Sequence, residues 1–174
     1  MHVVVLCHAN VARSVAAGLL LRDAADERGV VLSLRTAGTH ATEGQPASQR
    51  TVTALTRVTG APARLGSHRA HQLAEADIEW ADLVIAMEDS QVRYVYRVHP
   101  AASDRTATLA TLSDELPRDG RSVRERIASL GLAERQGTDA GDIEDPAGGG
   151  DDAYERAMTA LVVRCGELAR RLRG

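Results

Sequence analysis

The sequence contains no phenylalanine and no lysine, and aromatic residues make up only 2% of it. All 21 basic side chains are therefore arginines. A chain this poor in rings has little with which to wall a ligand pocket, so recognition falls mainly to backbone and polar groups. Cysteine is also scarce. Cys7 and Cys165 are far apart in the chain, which excludes a disulfide framework. The opening run His2-Val3-Val4-Val5-Leu6 is too short for a signal peptide and has no basic segment before it. No stretch approaches the ~20 apolar residues of a membrane span. The net charge of −3 argues against a protein built to coat nucleic acid or an anionic membrane. These absences lead us to expect a soluble, cytoplasmic protein in a reducing setting, with no nucleic-acid partner and no membrane partner.

What is present is ordinary globular material. The 174 residues suit one domain, 1–174, and the 44% hydrophobic and 26% charged fractions can support one core. Val3–Leu6 reads as a buried strand, followed by a loop, Cys7–Arg13, and a helix from Ser14 to Arg28 that Gly29 ends. Val30–Leu34 reads as a second strand, Ala47–Val58 as a helix ended by Gly60-Ala61-Pro62, and Leu83–Met87 as a third strand. Ser90–Val98 is predicted helical, Thr106–Leu112 a fourth strand, Arg121–Arg135 helical and Gly137–Asp152 a loop. In the last helix Tyr154, Met158, Leu161, Cys165, Leu168 and Leu172 recur every three or four residues, with Asp152 and Glu155 spaced as a capping box. Strands alternating with helices imply an α/β fold with a parallel sheet.

Ligands of open α/β sheets bind beyond the carboxyl ends of the strands. The first such end carries Cys7-His8-Ala9-Asn10-Val11-Ala12-Arg13-Ser14. Five residues between Cys and Arg can curl into a cradle of backbone N–H groups around one anion, and the following helix N-terminus adds partial positive charge. The planar fork of Arg13 can grip two phosphate oxygens. The same field favours the thiolate form of Cys7, and Ser14 can donate a hydrogen bond to the sulfur. Asn10 tolerates left-handed backbone angles and can hold the loop in shape. A thiolate attacking phosphorus needs an acid to protonate the leaving oxygen. Asp145 is the best candidate, stiffened by Pro146 and followed by Gly148-Gly149-Gly150, although an Asp-Pro turn alone would read the same way. Cys165, on the apolar stripe of the last helix, reads as a core thiol.

These residues resemble the low-molecular-weight protein-tyrosine phosphatases, whose phosphate loop reads Cys-x-x-Asn-x-x-Arg-Ser. Thr36-Ala37-Gly38-Thr39, Ser67-His68-Arg69-Ala70, Ala81-Asp82-Leu83-Val84-Ile85-Ala86-Met87 and Asp145-Pro146 match further family segments in the right order. The resemblance implies a flavodoxin-like sheet of four parallel strands with helices on both faces. It implies a phosphocysteine intermediate on Cys7, with Arg13 as clamp and Asp145 as general acid and then base, and it requires neither cofactor nor metal. It makes His8, Ala9, Asn10, Val11, Ala12 and Ser14 the oxyanion-binding loop and Thr36 and His68 its supports. The expected partners are a phosphorylated protein or small phosphoester, with phosphate or another oxyanion held in the loop.

The departures from the family pattern bear on substrate. Ala12 replaces a common second cysteine that can shelter the nucleophile in a disulfide. Ala147 and Gly148 stand where the family has aromatic walls, which leaves His8 and His40 to line the mouth. Val11 matches tyrosine phosphatases, whereas arginine phosphatases of this fold carry Thr there. The alternatives are a phosphatase for phosphoarginine or a small metabolite, an arsenate reductase, and an inactive phosphate-binding module. The stretch Pro117–Asp142, long for its place before the acid, is expected to shape substrate access.

Overall fold

The run of β-branched residues at the amino terminus is buried on both sides, as a central parallel strand must be. The computed structural model describes residues 1–135 and 141–173. Strand β1 is His2–Cys7, α1 is Arg13–Asp26, β2 is Ser33–Gly38, α2 is Gln49–Thr59, α3 is Glu75–Trp80 and β3 is Leu83–Ala86. There follow α4, Asp89–Val98, a 3-10 turn over Pro100–Arg105, β4, Thr106–Thr108, and α5, Leu109–Glu115. The chain continues with α6, Val123–Ala128, a second 3-10 turn over Leu132–Glu134, and α7, Asp151–Arg173. The strands form one parallel sheet in the order β2-β1-β3-β4. Helices cover both of its faces, the flavodoxin-like arrangement the resemblance implied.

Side-chain alternation along β1 builds the two cores. Val3, Val5 and Cys7 join the α1 and α7 side, where Val15, Leu21, Met158, Leu161 and Leu168 are buried. Val4 and Leu6 join the α3 and α4 side with Ile78, Val84 and Val95. The whole stripe of α7, from Tyr154 to Leu172, is buried as its spacing required. Its start differs from expectation. The helix begins at Asp151, and Asp152 pairs with Arg156 one turn on at 2.7 Å, while Glu155 reaches Arg57 of α2 at 2.9 Å.

Several boundaries moved for identifiable reasons. Val30 does not open β2, because its N–H bonds the Ala25 carbonyl at 2.9 Å and Gly29 takes φ 69°, which closes α1 in a Schellman motif. The strand instead runs to Gly38, paired residue for residue with β1. The fourth strand stops at Thr108, whose side chain caps α5 by accepting from the Thr111 N–H at 3.1 Å. Helix α3 was not anticipated. The expected helix Arg121–Arg135 is split by Gly131 at φ 59°. Of the expected loop Gly137–Asp152, residues 137–140 lie outside the described residues.

Residues 117–135 of the long stretch before the acid loop pack away from the site, while Asp142 at its end accepts from the Asp89 N–H beside it. Arg124 of α6 pairs at 2.9 Å with Asp82, which precedes β3 and also accepts from the His2 N–H, so α6 packs at the amino ends of the strands. The buried Arg126 donates to the carbonyls of Pro117, Arg171 and Leu172 and so caps the end of α7.

Helix α1 approaches β2 closely because residue 18 is glycine: a Cβ there would lie 2.7 Å from Cγ2 of Thr36. Gly18→Ala should therefore lower stability by about 1–2 kcal/mol, the overpacking cost exceeding the ~1 kcal/mol gained in helix propensity. Thr36→Ser in that background should recover most of the loss. Urea denaturation of the three variants checks this, and a stabilising Gly18→Ala would refute it.

Candidate active site

Loop 7–13 turns β1 into α1, and one residue makes the turn possible. Asn10 sits at φ 54°, the only described non-glycine residue with positive φ. Gly38, at the end of β2, lets the loop lean in, since a Cβ there would meet the His8 carbonyl oxygen at 2.6 Å and the Asn10 nitrogen at 3.0 Å. The Thr39 and His40 N–H groups bond the carbonyls of Cys7 and His8, each at 2.9 Å. The Ser48 N–H bonds that of Val11 at 2.8 Å. Ala9, Val11 and Ala12 are half-buried along this turn.

The hydrogen bonds around Asn10 have a fixed direction. The His71 backbone N–H donates to Asn10 Oδ1 at 2.9 Å, which orients the amide so that Nδ2 donates to Ser14 Oγ at 2.9 Å. The hydroxyl, occupied as an acceptor, has its own proton left for Cys7 Sγ, 3.0 Å away. A chain of donors thus ends on the sulfur. His68 Nε2 lies 2.7 Å from the Asn10 carbonyl oxygen, which can only accept, so the ring carries its proton on Nε2 and braces the loop. Thr36 takes no part in this chain. Its methyl group lies against Gly18 of α1, two residues before the end of β2.

Arg13 is buried, with 2% of its surface exposed. Its guanidinium donates to the Ile143 carbonyl at 3.0 Å, to Asp145 Oδ2 at 2.7 Å, and to Glu88. Burial lowers its pKa from the ordinary value, and the negative charges of Asp145, Cys7 and Asp142 oppose that shift. The acid loop is tied down around it. The Ile143 N–H bonds the Met87 carbonyl at 2.9 Å, Asp142 Oδ1 accepts from the Asp89 N–H at 2.9 Å, and Arg50 holds the Gly149 carbonyl at 2.8 Å. Asp145 Oδ1 accepts from the Ala147 N–H at 3.1 Å, a local turn that leaves Oδ2 for Arg13.

The structure therefore brings Cys7, Asn10, Ser14 and His68 into one bonded group, and Arg13 and Asp145 into another at the far end of the same loop. Glu88 and His71 were missed. Glu88 follows β3 at its carboxyl end, the place where the topological rule looks for ligand contacts. His71 acts through its backbone, for which no residue type is diagnostic.

A family model for low molecular weight phosphotyrosine protein phosphatases matches residues 2–125. The protein-arginine-phosphatase of Geobacillus stearothermophilus is 30% identical over 96% of this chain and 93% of its own. The chain belongs to the low molecular weight phosphotyrosine protein phosphatase family. Among solved structures, a low molecular weight protein tyrosine phosphatase from T. tengcongensis superposes with a TM-score of 0.76 at 27% identity, over 98% of each chain. A YwlE arginine phosphatase variant with a phosphorylated active-site serine gives a TM-score of 0.78 at 25% identity, over 99% of this chain and 95% of that one.

The phosphatase has a second thiol, Cys165, whose pKa burial pushes up to about 12. At pH 7–8 iodoacetamide should accordingly label Cys7 and leave Cys165 untouched in the folded protein, with both labelled in urea. Phosphate in the loop should slow labelling of Cys7. Peptide mass spectrometry reads the sites, and equal labelling of the two thiols in the native protein would refute the assignment.

Proposed function

We propose that this phosphatase cleaves phosphate monoesters through a phosphocysteine on Cys7, with Arg13 holding the phosphoryl oxygens and Asp145 moving the proton. The observation that carries the reading is the chain of donors from His71 through Asn10 and Ser14 to the sulfur. It gives Cys7 a partner suited to a negative charge, both before attack and when the sulfur leaves.

In the free protein Arg13 is shared between Asp145 and Glu88. A phosphate dianion entering the loop competes for the guanidinium. Asp145, beside Arg13 at the mouth of the loop, is placed to serve as the general acid. Cys7 Sγ then attacks in line; the S–P bond forms, the bond from phosphorus to the leaving oxygen breaks, and the Asp145 proton goes to that oxygen. Water next attacks phosphorus, Asp145 accepts its proton, and Ser14 donates to the departing thiolate. The start of α1, the loop backbone and Arg13 carry the charge stabilisation.

As substrate we propose a phosphorylated protein side chain of the tyrosine type, on the aliphatic Val11 in the loop. Phosphoarginine is the second reading, favoured by the 30% identity to an arginine phosphatase. A thiolate nucleophile with no neighbouring cysteine to shelter it suits a reducing compartment, and we place the protein in the cytoplasm. Among the described residues no helix is long and apolar enough to cross a membrane.

Steady-state hydrolysis of para-nitrophenyl phosphate, phosphotyrosine and phosphoarginine without metal tests the reading. Wild type should turn over, Cys7→Ser should not, and Asp145→Asn should lose about 10²–10⁴-fold in kcat. Activity surviving in Cys7→Ser would overturn it. Val11→Thr should move the ratio of kcat/KM values toward phosphoarginine.

A further inference from the structure

The acid loop is held differently on its two sides. Upstream of Asp145 the backbone is fixed to the sheet, by the bond from the Ile143 N–H to Met87 and by that from Arg13 to the Ile143 carbonyl. Downstream, Gly148 takes φ 86°, and the bonds from Ala147 to Asp145 and from Gly149 to Pro146 stay within the loop. Among the described residues, the one hydrogen bond that residues 146–150 receive from a distant part of the chain comes from Arg50 of α2. Its Nη2 donates to the Gly149 carbonyl at 2.8 Å and to Asp151 Oδ1 at 3.3 Å. The same guanidinium lies over the ring of the buried Tyr154, 4.3 Å from its centre. One flat cation thus grips the end of the loop and the first turn of α7 together. Its own footing is the phosphate loop: two residues before Arg50, the Ser48 N–H bonds the Val11 carbonyl at 2.8 Å. Helix α2 starts on the loop that carries Cys7 and holds the loop that carries Asp145.

We propose that Arg50 is a positioning residue for the general acid: by holding Gly149 it keeps Asp145 within reach of the leaving oxygen of a phosphate seated over Cys7. The proposal rests on the phosphatase reading above. Proton transfer demands hydrogen-bond reach, and a segment of three consecutive glycines released from its tether spreads over many backbone conformations. Arg50 acts through the backbone of the acid loop, so its loss should be felt where a proton is needed. Nitrophenolate departs readily as an anion, whereas phenolate departs slowly unless protonated. A general weakening of the fold would instead slow both substrates alike.

The experiment measures kcat/KM, which covers the steps through departure of the leaving group, for para-nitrophenyl phosphate and phenyl phosphate. Asp145→Asn should lower the value for phenyl phosphate far more than that for para-nitrophenyl phosphate. Arg50→Ala should do the same in smaller measure, about three- to tenfold for phenyl phosphate and less than about twofold for para-nitrophenyl phosphate. Arg57→Ala breaks a different tie between α2 and α7, the 2.9 Å pair with Glu155, and should leave the ratio of the two substrates unchanged. Adding Arg50→Ala to Asp145→Asn should not alter the ratio further, because the acid it positions is already gone. An Arg50→Ala loss equal for both substrates, no loss at all, or a further change of ratio in the double variant would overturn the proposal alone. A ratio unchanged in Asp145→Asn would overturn the acid assignment, and the role of Arg50 with it.

Discussion

The turn from β1 into α1 is the constraint on which the rest of the molecule depends. A buried strand must reverse into a helix within the few residues of loop 7–13, presenting its nucleophile, its cation and the helix N-terminus to one small volume. Asn10 in the left-handed region allows that turn, and its side chain is fully used in keeping it. Both amide atoms are committed in a fixed sense, one accepting from His71 and the other donating to Ser14, so the hydroxyl proton is left for Cys7. Conformation and charge stabilisation are therefore set by the same side chain. The glycine at the end of β2 serves the same turn from outside, by leaving room for the His8 carbonyl.

Arg13 shows how a buried cation is kept ready. A guanidinium with 2% exposure would be costly without partners, and the fold supplies two carboxylates and a carbonyl from segments that follow β3 or precede α7. Those partners hold the buried guanidinium between the end of β3 and the acid loop.

Much of this was readable beforehand because the loop is local. Cys7, Asn10, Arg13 and Ser14 lie within eight consecutive positions, so a strand, a spacing and a helix start are enough to bring them together. The core stripe of α7 was readable for a similar reason, since one period decides which face is buried. The boundaries that moved did so through hydrogen bonds that composition does not announce: Val30 spent on closing α1, and Thr108 turned into a helix cap. Of the long stretch before Asp145, expected near the mouth, residues 117–135 pack at the opposite end of the sheet, because Arg124 and Arg126 find partners there.

Residue types and short spacings by themselves pointed to the parallel sheet, the turn of loop 7–13 and the candidate nucleophile and clamp, because each depends on contacts within a turn or two of chain. Only the tertiary structure decided what surrounds them. It brought Glu88 and Asp145 onto Arg13 from 75 and 132 residues away. It put the His71 backbone on Asn10, stacked His40 on His8, and set Thr36 against Gly18 outside the loop's hydrogen-bond chain. These are meetings between segments far apart in the chain, and packing of the whole sheet with its helices, more than any local preference, selects them.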